Sequence, residues 1–263
     1  MGVAGAATGL PAAALPSVGL HLGQAFPSLP SDPAGLLTRV AELGVREVEI
    51  PPHGERLLDP MVVRSLLDRT GLSAPSRHVR MPDLFSNWKV LLRECQLLGS
   101  RVVVCAEVPA EQRASLDGYA RVAGLLNAIA NIVESVGMQL AVHPHADDFR
   151  PRQGAVPLEG LMARTDPRLV RLQLDLSVLA RAGLDPISEI GRYSGRTASL
   201  HINNVAAADG GPADLEAGRL DLPAVLSAAM DAGIRQFFID DERLTGAWDH
   251  AKANVAYLAA LDV

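Results

Sequence analysis

The chain has 263 residues, 48% of them hydrophobic and 21% charged, and 30 acidic against 24 basic residues leave a net charge of −6. One globular domain, or at most two, fits that length and balance, whereas disorder and collagen-like repeats do not. No Lys/Arg run offers a nucleic-acid surface, and no stretch approaches the ~18 uncharged apolar residues of a membrane span, so a small-molecule partner is expected.

The opening MGVAGAATGLPAAALP, residues 1–16, lacks a basic n-region and holds Gly9, Pro11 and Pro16. It reads as a flexible leader rather than a signal peptide, followed by one domain over 17–263. Cys95 and Cys105 are too few and wrongly spaced for a disulfide framework or a cysteine zinc site, so a reducing, cytoplasmic setting is expected.

From Ser17 one phrase recurs: a helical pattern, a glycine, then a short apolar run ending in a polar residue. Gly44, Gly71, Gly99, Gly137 and Gly233 mark left-handed helix stops before such runs. Asp32 and Asp59 each precede a proline, the cap-then-first-turn arrangement that opens a helix. Strands are expected at 17–22, 46–50, 73–79, 101–106, 138–143, 170–175, 197–202 and 235–240. In the longest intervening helix Val122, Leu125, Leu126, Ile129, Val133 and Val136 form one apolar stripe. Eight mostly apolar strands alternating with helices over this length predict an α/β fold, a single (β/α)₈ barrel. Segments 144–157 and 203–219 read as long loops on the face where barrels keep their chemistry.

Strand ends converge on that face, and here they are polar: His21, Glu49, His78, Glu107, His143 with His145, Asp175, His201, and Asp240 with Asp241. Imidazoles and carboxylates from four successive strands, His143, Asp175, His201 and Asp240, can surround one divalent cation such as Zn²⁺, Mn²⁺, Fe²⁺ or Co²⁺. A single His at a strand end is commonly structural, and His21, His53 and His145 taken singly suit that description. Asp175 and His201 differ, because each ends an apolar strand where an unpaired polar group is costly. Glu49 equally suits a structural ion pair with an Arg across the mouth, Glu107 the start of a loop, and His250 the surface of the final helix. All but two of the 24 basic residues are Arg, and neither Lys89 nor Lys252 sits at a strand end, which argues against Schiff-base chemistry. Phosphate loops, dinucleotide fingerprints and the G-x-S-x-G of hydrolases are absent.

These phrases in this order, ELGVREVEI, GLSAPSRHV, GMQLAVHPHADDF, LVRLQLDLSVLARAGLDP, YSGRTASLHINN and EAGRLDLPAVLSAAMDAGIRQFFIDDE, resemble the xylose isomerase-like sugar phosphate isomerase/epimerase superfamily, which also includes the endonuclease IV type of DNA-repair enzyme. The resemblance covers about residues 17–260. It implies a barrel with one divalent metal, Mn²⁺, Zn²⁺ or Co²⁺, held by Asp175, His201, His143 and Asp240, the last two standing where many members carry Glu. The usual His-x-Lys-Asp after strand seven is His201-Ile202-Asn203-Asn204, and the frequent Asp-x-x-His of strand six ends in Val178. Those departures keep a metal site but remove the symmetrical glutamate pair of the epimerases.

What the resemblance implies for function is an isomerase or epimerase-like enzyme on a small sugar, keto-sugar or polyol, working through a metal-stabilised enolate. Glu49, His78, His145 and Asp148 are then the acid/base and hydroxyl-binding candidates. Two alternatives stay open: a keto-inositol or sugar-acid dehydratase or keto-glycoside lyase, and a non-catalytic sugar-binding barrel. The acidic balance argues against the DNA-repair branch, and the resemblance implies a small carbohydrate or polyol partner, with no nucleic acid or membrane and with monomer or homo-oligomer left open.

Overall fold

A computed structural model of the chain describes residues 15–16, 18–23, 31–52, 59–243 and 246–262. Residues 1–14 of the expected leader, and His53, lie outside the described residues. Eight parallel strands close into a barrel. They are β1 (Val18–His21), β2 (Glu47–Ile50), β3 (Ser73–Val79), β4 (Val102–Cys105), β5 (Gln139–Val142), β6 (Val170–Asp175), β7 (Thr197–Ile202) and β8 (Phe237–Ile239). Each pairs with its neighbours in sequence, and β8 closes on β1 with Gly19 opposite Phe238.

The helices begin and end where local chemistry dictates. Asp32 accepts the Gly35 N–H at 2.9 Å and Asp59 the Met61 N–H at 2.8 Å, each beside a first-turn proline. Glycines 44, 71, 99, 137 and 233 all hold positive φ after a helix. In the longest helix, Leu116–Ser135, the stripe is narrower than its spacing suggests: Val122, Leu126, Ile129 and Val133 are buried, but Leu125 is 47% and Val136 38% exposed. Leu125 directly precedes Leu126 and so turns about 100° from the buried face, and Val136 sits at the frayed cap.

Alternation along each strand separates two surfaces. Val48, Ile50, Leu172, Leu174, Leu200 and Ile202 join the apolar core. Glu47 and Glu49, Arg171, Gln173 and Asp175, and Thr197, Ser199 and His201 take the other side, and hydrogen bonds spanning from β6 to β2 place that side inside the barrel. Barrels usually fill this space with branched apolar residues. Here the middle of the interior is polar, with one aromatic plug: Phe238 fills the place opposite Gly19, where a Cβ would come within 2.6 Å of its ring.

The loop after β7 contains a two-stranded antiparallel ribbon, Asn204–Val205 with Pro212–Ala213. The segment after β5 contains a short helix, Ala146–Phe149, and an isolated bridge between Arg152 and Ala155. Among the described residues no helix is long and apolar enough to cross a membrane.

Candidate metal centre at the barrel mouth

Glu49, on β2, is wholly buried and stands at the centre of the polar interior. Its Oε2 lies 2.8 Å from His21 Nδ1, 3.2 Å from His78 Nε2 and 2.5 Å from His201 Nε2. Its Oε1 accepts from Ser76 Oγ at 2.5 Å and from Gln173 Nε2 at 2.7 Å. Gln173 also accepts from His78 Nε2 at 2.6 Å and donates to Ser199 Oγ at 2.8 Å. A buried charge needs such pairing. Burial opposes ionisation of Glu49, yet the charges of His78 and His201, with hydrogen bonds from His201 and His21, hold its carboxyl well below the usual range. The partners are imidazoles, so the alternative of an Arg across the mouth does not hold.

The β5–β8 side is built differently. Asp175 ends β6 and caps the helix Leu176–Arg181, its Oδ1 accepting from Val178 N–H and Ser177 Oγ, each at 2.8 Å, and its Oδ2 from Asn203 Nδ2 at 3.0 Å. His201 is turned so that Nε2 meets Glu49 and Nδ1 faces the carboxylates, 3.2 Å from Asp240 Oδ2 and 3.6 Å from Asp175 Oδ2. Neither contact is aligned as a hydrogen bond, and His201 Nδ1 and His143 Nδ1 are both buried without a partner. Burial disfavours a charged His201, but Glu49, Asp175 and Asp240 outweigh it and raise its pKa well above the imidazole range. His143 goes the other way: burial, then the charges of His201 and His78, keep it neutral. Burial likewise lowers His78. Asp175 and Asp240 are both held below the carboxylate range against burial, Asp175 chiefly by His201, Asp240 by the charges of His21 and His201.

Among the described residues two sets of groups bring donor atoms within 4.8 Å of one another and could hold a metal ion: His21, Glu49, His78 and His201, and His143, Asp175 and His201. Three of the four residues expected to form one site, His143, Asp175 and His201, are thus brought together, and Asp240 stands outside that set with its Oδ2 3.2 Å from His201 Nδ1. The orphaned ring nitrogens beside two carboxylates have the chemistry of a mixed nitrogen–oxygen donor set.

The other named residues have other partners. His145 caps the short helix Ala146–Phe149 together with Asp148, whose Oδ2 accepts the His145 N–H at 2.7 Å. His145 Nε2 meets the Ala106 carbonyl at 2.9 Å, and the other Asp148 oxygen accepts the Tyr119 hydroxyl. Asp241 is bound by Arg243, which also reaches Asp214 at 2.8 Å. His250 is half-buried rather than simply on the surface, its Nδ1 2.8 Å from Asp214. Glu107 is exposed. Sequence reasoning passed over Ser76, Gln173 and Ser199. The signal was present: QLD and SLH keep a two-residue spacing that sends Gln173 and Ser199 inward with Asp175 and His201.

Residues 37–240 match the xylose isomerase-like TIM barrel family. An inosose dehydratase of Geobacillus kaustophilus is 27% identical over 192 residues, 65% of this chain and 61% of that relative's length. A sugar phosphate isomerase/epimerase structure from Parabacteroides distasonis superposes with a TM-score of 0.80 at 17% identity, covering 94% of this chain and 98% of that one. A xylose isomerase-like barrel from Mycobacterium smegmatis, solved in complex with magnesium, superposes with a TM-score of 0.67 at 16% identity, covering 93% and 95%. By its sequence match and its closed eight-stranded barrel, this chain belongs to the xylose isomerase-like TIM barrel family.

Proposed function

We propose that the chain is a divalent-metal-dependent enzyme that removes the proton α to the carbonyl of a small keto-sugar or keto-polyol and completes the reaction as a dehydration. The observation that carries this reading is the one-sidedness of the mouth. Imidazoles backed by a single buried carboxylate, His21 and His78 on Glu49, occupy the β1–β3 side, and orphaned nitrogens with two carboxylates occupy the β5–β8 side. Similarity to an inosose dehydratase supports the same choice.

His143 Nδ1, Asp175, His201 Nδ1 and Asp240 would hold the ion. Two donors of one cation at roughly 2.1 Å stand about 3–3.5 Å apart, which suits the carboxylates beside His201. The 2.5 and 2.8 Å contacts of Glu49 are hydrogen-bond distances and suit a carboxylate that orients His201 from behind. When bound, the ion supplies Lewis-acid stabilisation of the negative charge that develops on the carbonyl oxygen.

The chain's own groups do the rest. His78, whose pKa burial lowers and which is anchored through Nε2, takes the α-proton at Nδ1. The C–H electron pair becomes the new double bond as the β C–O bond breaks, and His21, anchored through Nδ1, delivers a proton from Nε2 so that the oxygen leaves as water. Glu49 holds both rings from behind, at His21 Nδ1 and His78 Nε2, while His78 Nδ1 releases its proton to solvent and His21 Nε2 takes one up, which restores the pair. Epimerisation needs a proton carrier on each face of one carbon, and the opposite face here presents the donor set. A second reading, isomerisation between adjacent carbons, is favoured by the His21 and His78 rings standing 4.8 Å apart. His145 and Asp148 serve as supports of the loop after β5.

The test is to load the purified protein with Mn²⁺, Co²⁺ or Mg²⁺ and incubate it in D₂O with keto-inositols and keto-sugars. Deuterium entry at the α-carbon is read by NMR and water loss by mass spectrometry. Metal-dependent exchange with water loss supports the dehydratase, and exchange without water loss the isomerase. Neither event across the panel overturns both in favour of a sugar-binding barrel.

A further inference from the structure

The opposite end of the barrel holds a cavity of about 510 Å³ whose lining includes Glu47, Arg101, Gln139, Arg171, Arg235 and Gln236. We propose that it is a second binding site, for a phosphate dianion, free or carried as a monoester on a small molecule.

The strand starts explain why these groups meet. Arg101 directly precedes β4, Arg171 is the second residue of β6 and Arg235 lies just before β8. Three guanidinium groups therefore share one rim with a single carboxylate, Glu47, and that carboxylate is already occupied by Gln236 Nε2 at 2.5 Å. Arg171 is pinned by neutral groups, its Nε on Gln139 Oε1 at 3.1 Å and its Nη1 on the Gly195 carbonyl at 2.9 Å, which leaves Nη2 for a ligand. Arg235 spends Nη1 on the Met230 and Ile234 carbonyls, at 2.7 and 2.8 Å, and keeps Nε and Nη2. Backbone carbonyls orient a guanidinium without cancelling its charge, and among the described residues none of the three arginines has a carboxylate in ion-pair contact. Three forked cations against one carboxylate leave an excess of positive charge on this rim, which favours a doubly charged, multi-oxygen anion over a single carboxylate. The volume falls in the range of small-molecule pockets and leaves room for an organic group beyond the phosphate.

The site is separate from the mouth. Arg171 and Asp175 lie on the same strand four residues apart, roughly 13 Å along it, and the Glu49–Gln173–Ser199 layer and the Phe238 ring fill the space between.

Calorimetric and thermal-shift titrations with inorganic phosphate and with glycerol phosphate, at constant ionic strength set by KCl, test the proposal. The expected result is saturable binding of at least one of them that persists in Asp175→Ala and His143→Ala, where the mouth is altered. It weakens at least tenfold in Arg101→Ala and in Arg171→Gln. Arg101 has no hydrogen bond from its side chain to lose among the described residues, so that variant keeps the test open if Arg171→Gln folds poorly. The tighter of the two probes identifies the source of the phosphate. The proposal is overturned if neither probe saturates, if KCl alone produces the same stabilisation, if the arginine variants bind as the parent does, or if binding disappears in the mouth variants.

Discussion

The two sides of the barrel mouth hold equally buried histidines in opposite ways. On the β1–β3 side Glu49 engages His21 and His78 and adds Ser76 and Gln173, a network that closes on itself. On the β5–β8 side His143 and His201 keep buried ring nitrogens with no hydrogen bond, beside Asp175 and Asp240. Since folded proteins rarely leave such atoms unsatisfied, the difference separates a region that satisfies its own polar groups from one that leaves donor atoms open for the proposed ion.

The sharpest way to break that contrast is to remove a donor from the open side. Asp175→Ala or His201→Ala should abolish metal uptake, by more than the roughly 10–100-fold that supporting partners contribute, as read by elemental analysis after loading. Substituting the closed side tests the chemistry instead: His78→Gln should slow α-proton exchange by about 10²–10⁴-fold while metal content stays at the parent level. Glu49→Gln touches both sides at once. It should weaken metal binding about 10–100-fold through His201 and destabilise the metal-free protein by about 3–5 kcal/mol in denaturant titrations. A metal affinity equal to the parent's would disconnect Glu49 from the open side.

Smaller effects are expected away from the ligands. Tyr119→Phe removes the hydrogen bond to Asp148 and should cost about 1–3 kcal/mol with metal binding unchanged. The two thiols give the weakest signal. Burial pushes Cys95 up to about 11 and Cys105 up to about 12, so neither should react with a disulfide reagent in the native protein near pH 8. Because their folded pKa values lie above the unfolded ones, the unfolded chain loses these protons first. Their contribution to stability is complete below about pH 9 and is lost as pH rises towards 11–12, which a set of alkaline melting curves measures.

Much of this architecture was legible in the chain. Strands β3, β6 and β7 fall on the residues expected, and the other five differ by a residue or two at their ends, because apolar alternation and glycine stops are local signals. The meeting of His143, Asp175 and His201 was also readable, since barrel topology alone brings strand ends together, with Asp240 reaching only His201. What the sequence hid was partnership across the barrel. Glu49 and Gln173 are far apart in the chain, and nothing local to either announces that they share a hydrogen bond. The same blindness applies to Asp148 and His145, whose polar character suits catalysis and capping alike until Tyr119 and the Ala106 carbonyl are seen beside them.

The Gly19–Phe238 contact carries a mechanical consequence. A methyl group added at Gly19 would press on the Phe238 ring at 2.6 Å and on the Glu47 carbonyl at 2.9 Å. That ring stands edge-on to His201, with centroids 6.4 Å apart. The absence of a side chain at Gly19 thus leaves room for the ring that packs against a histidine of the mouth, so that one carbon atom at β1 and the seat of His201 are two contacts of the same aromatic side chain.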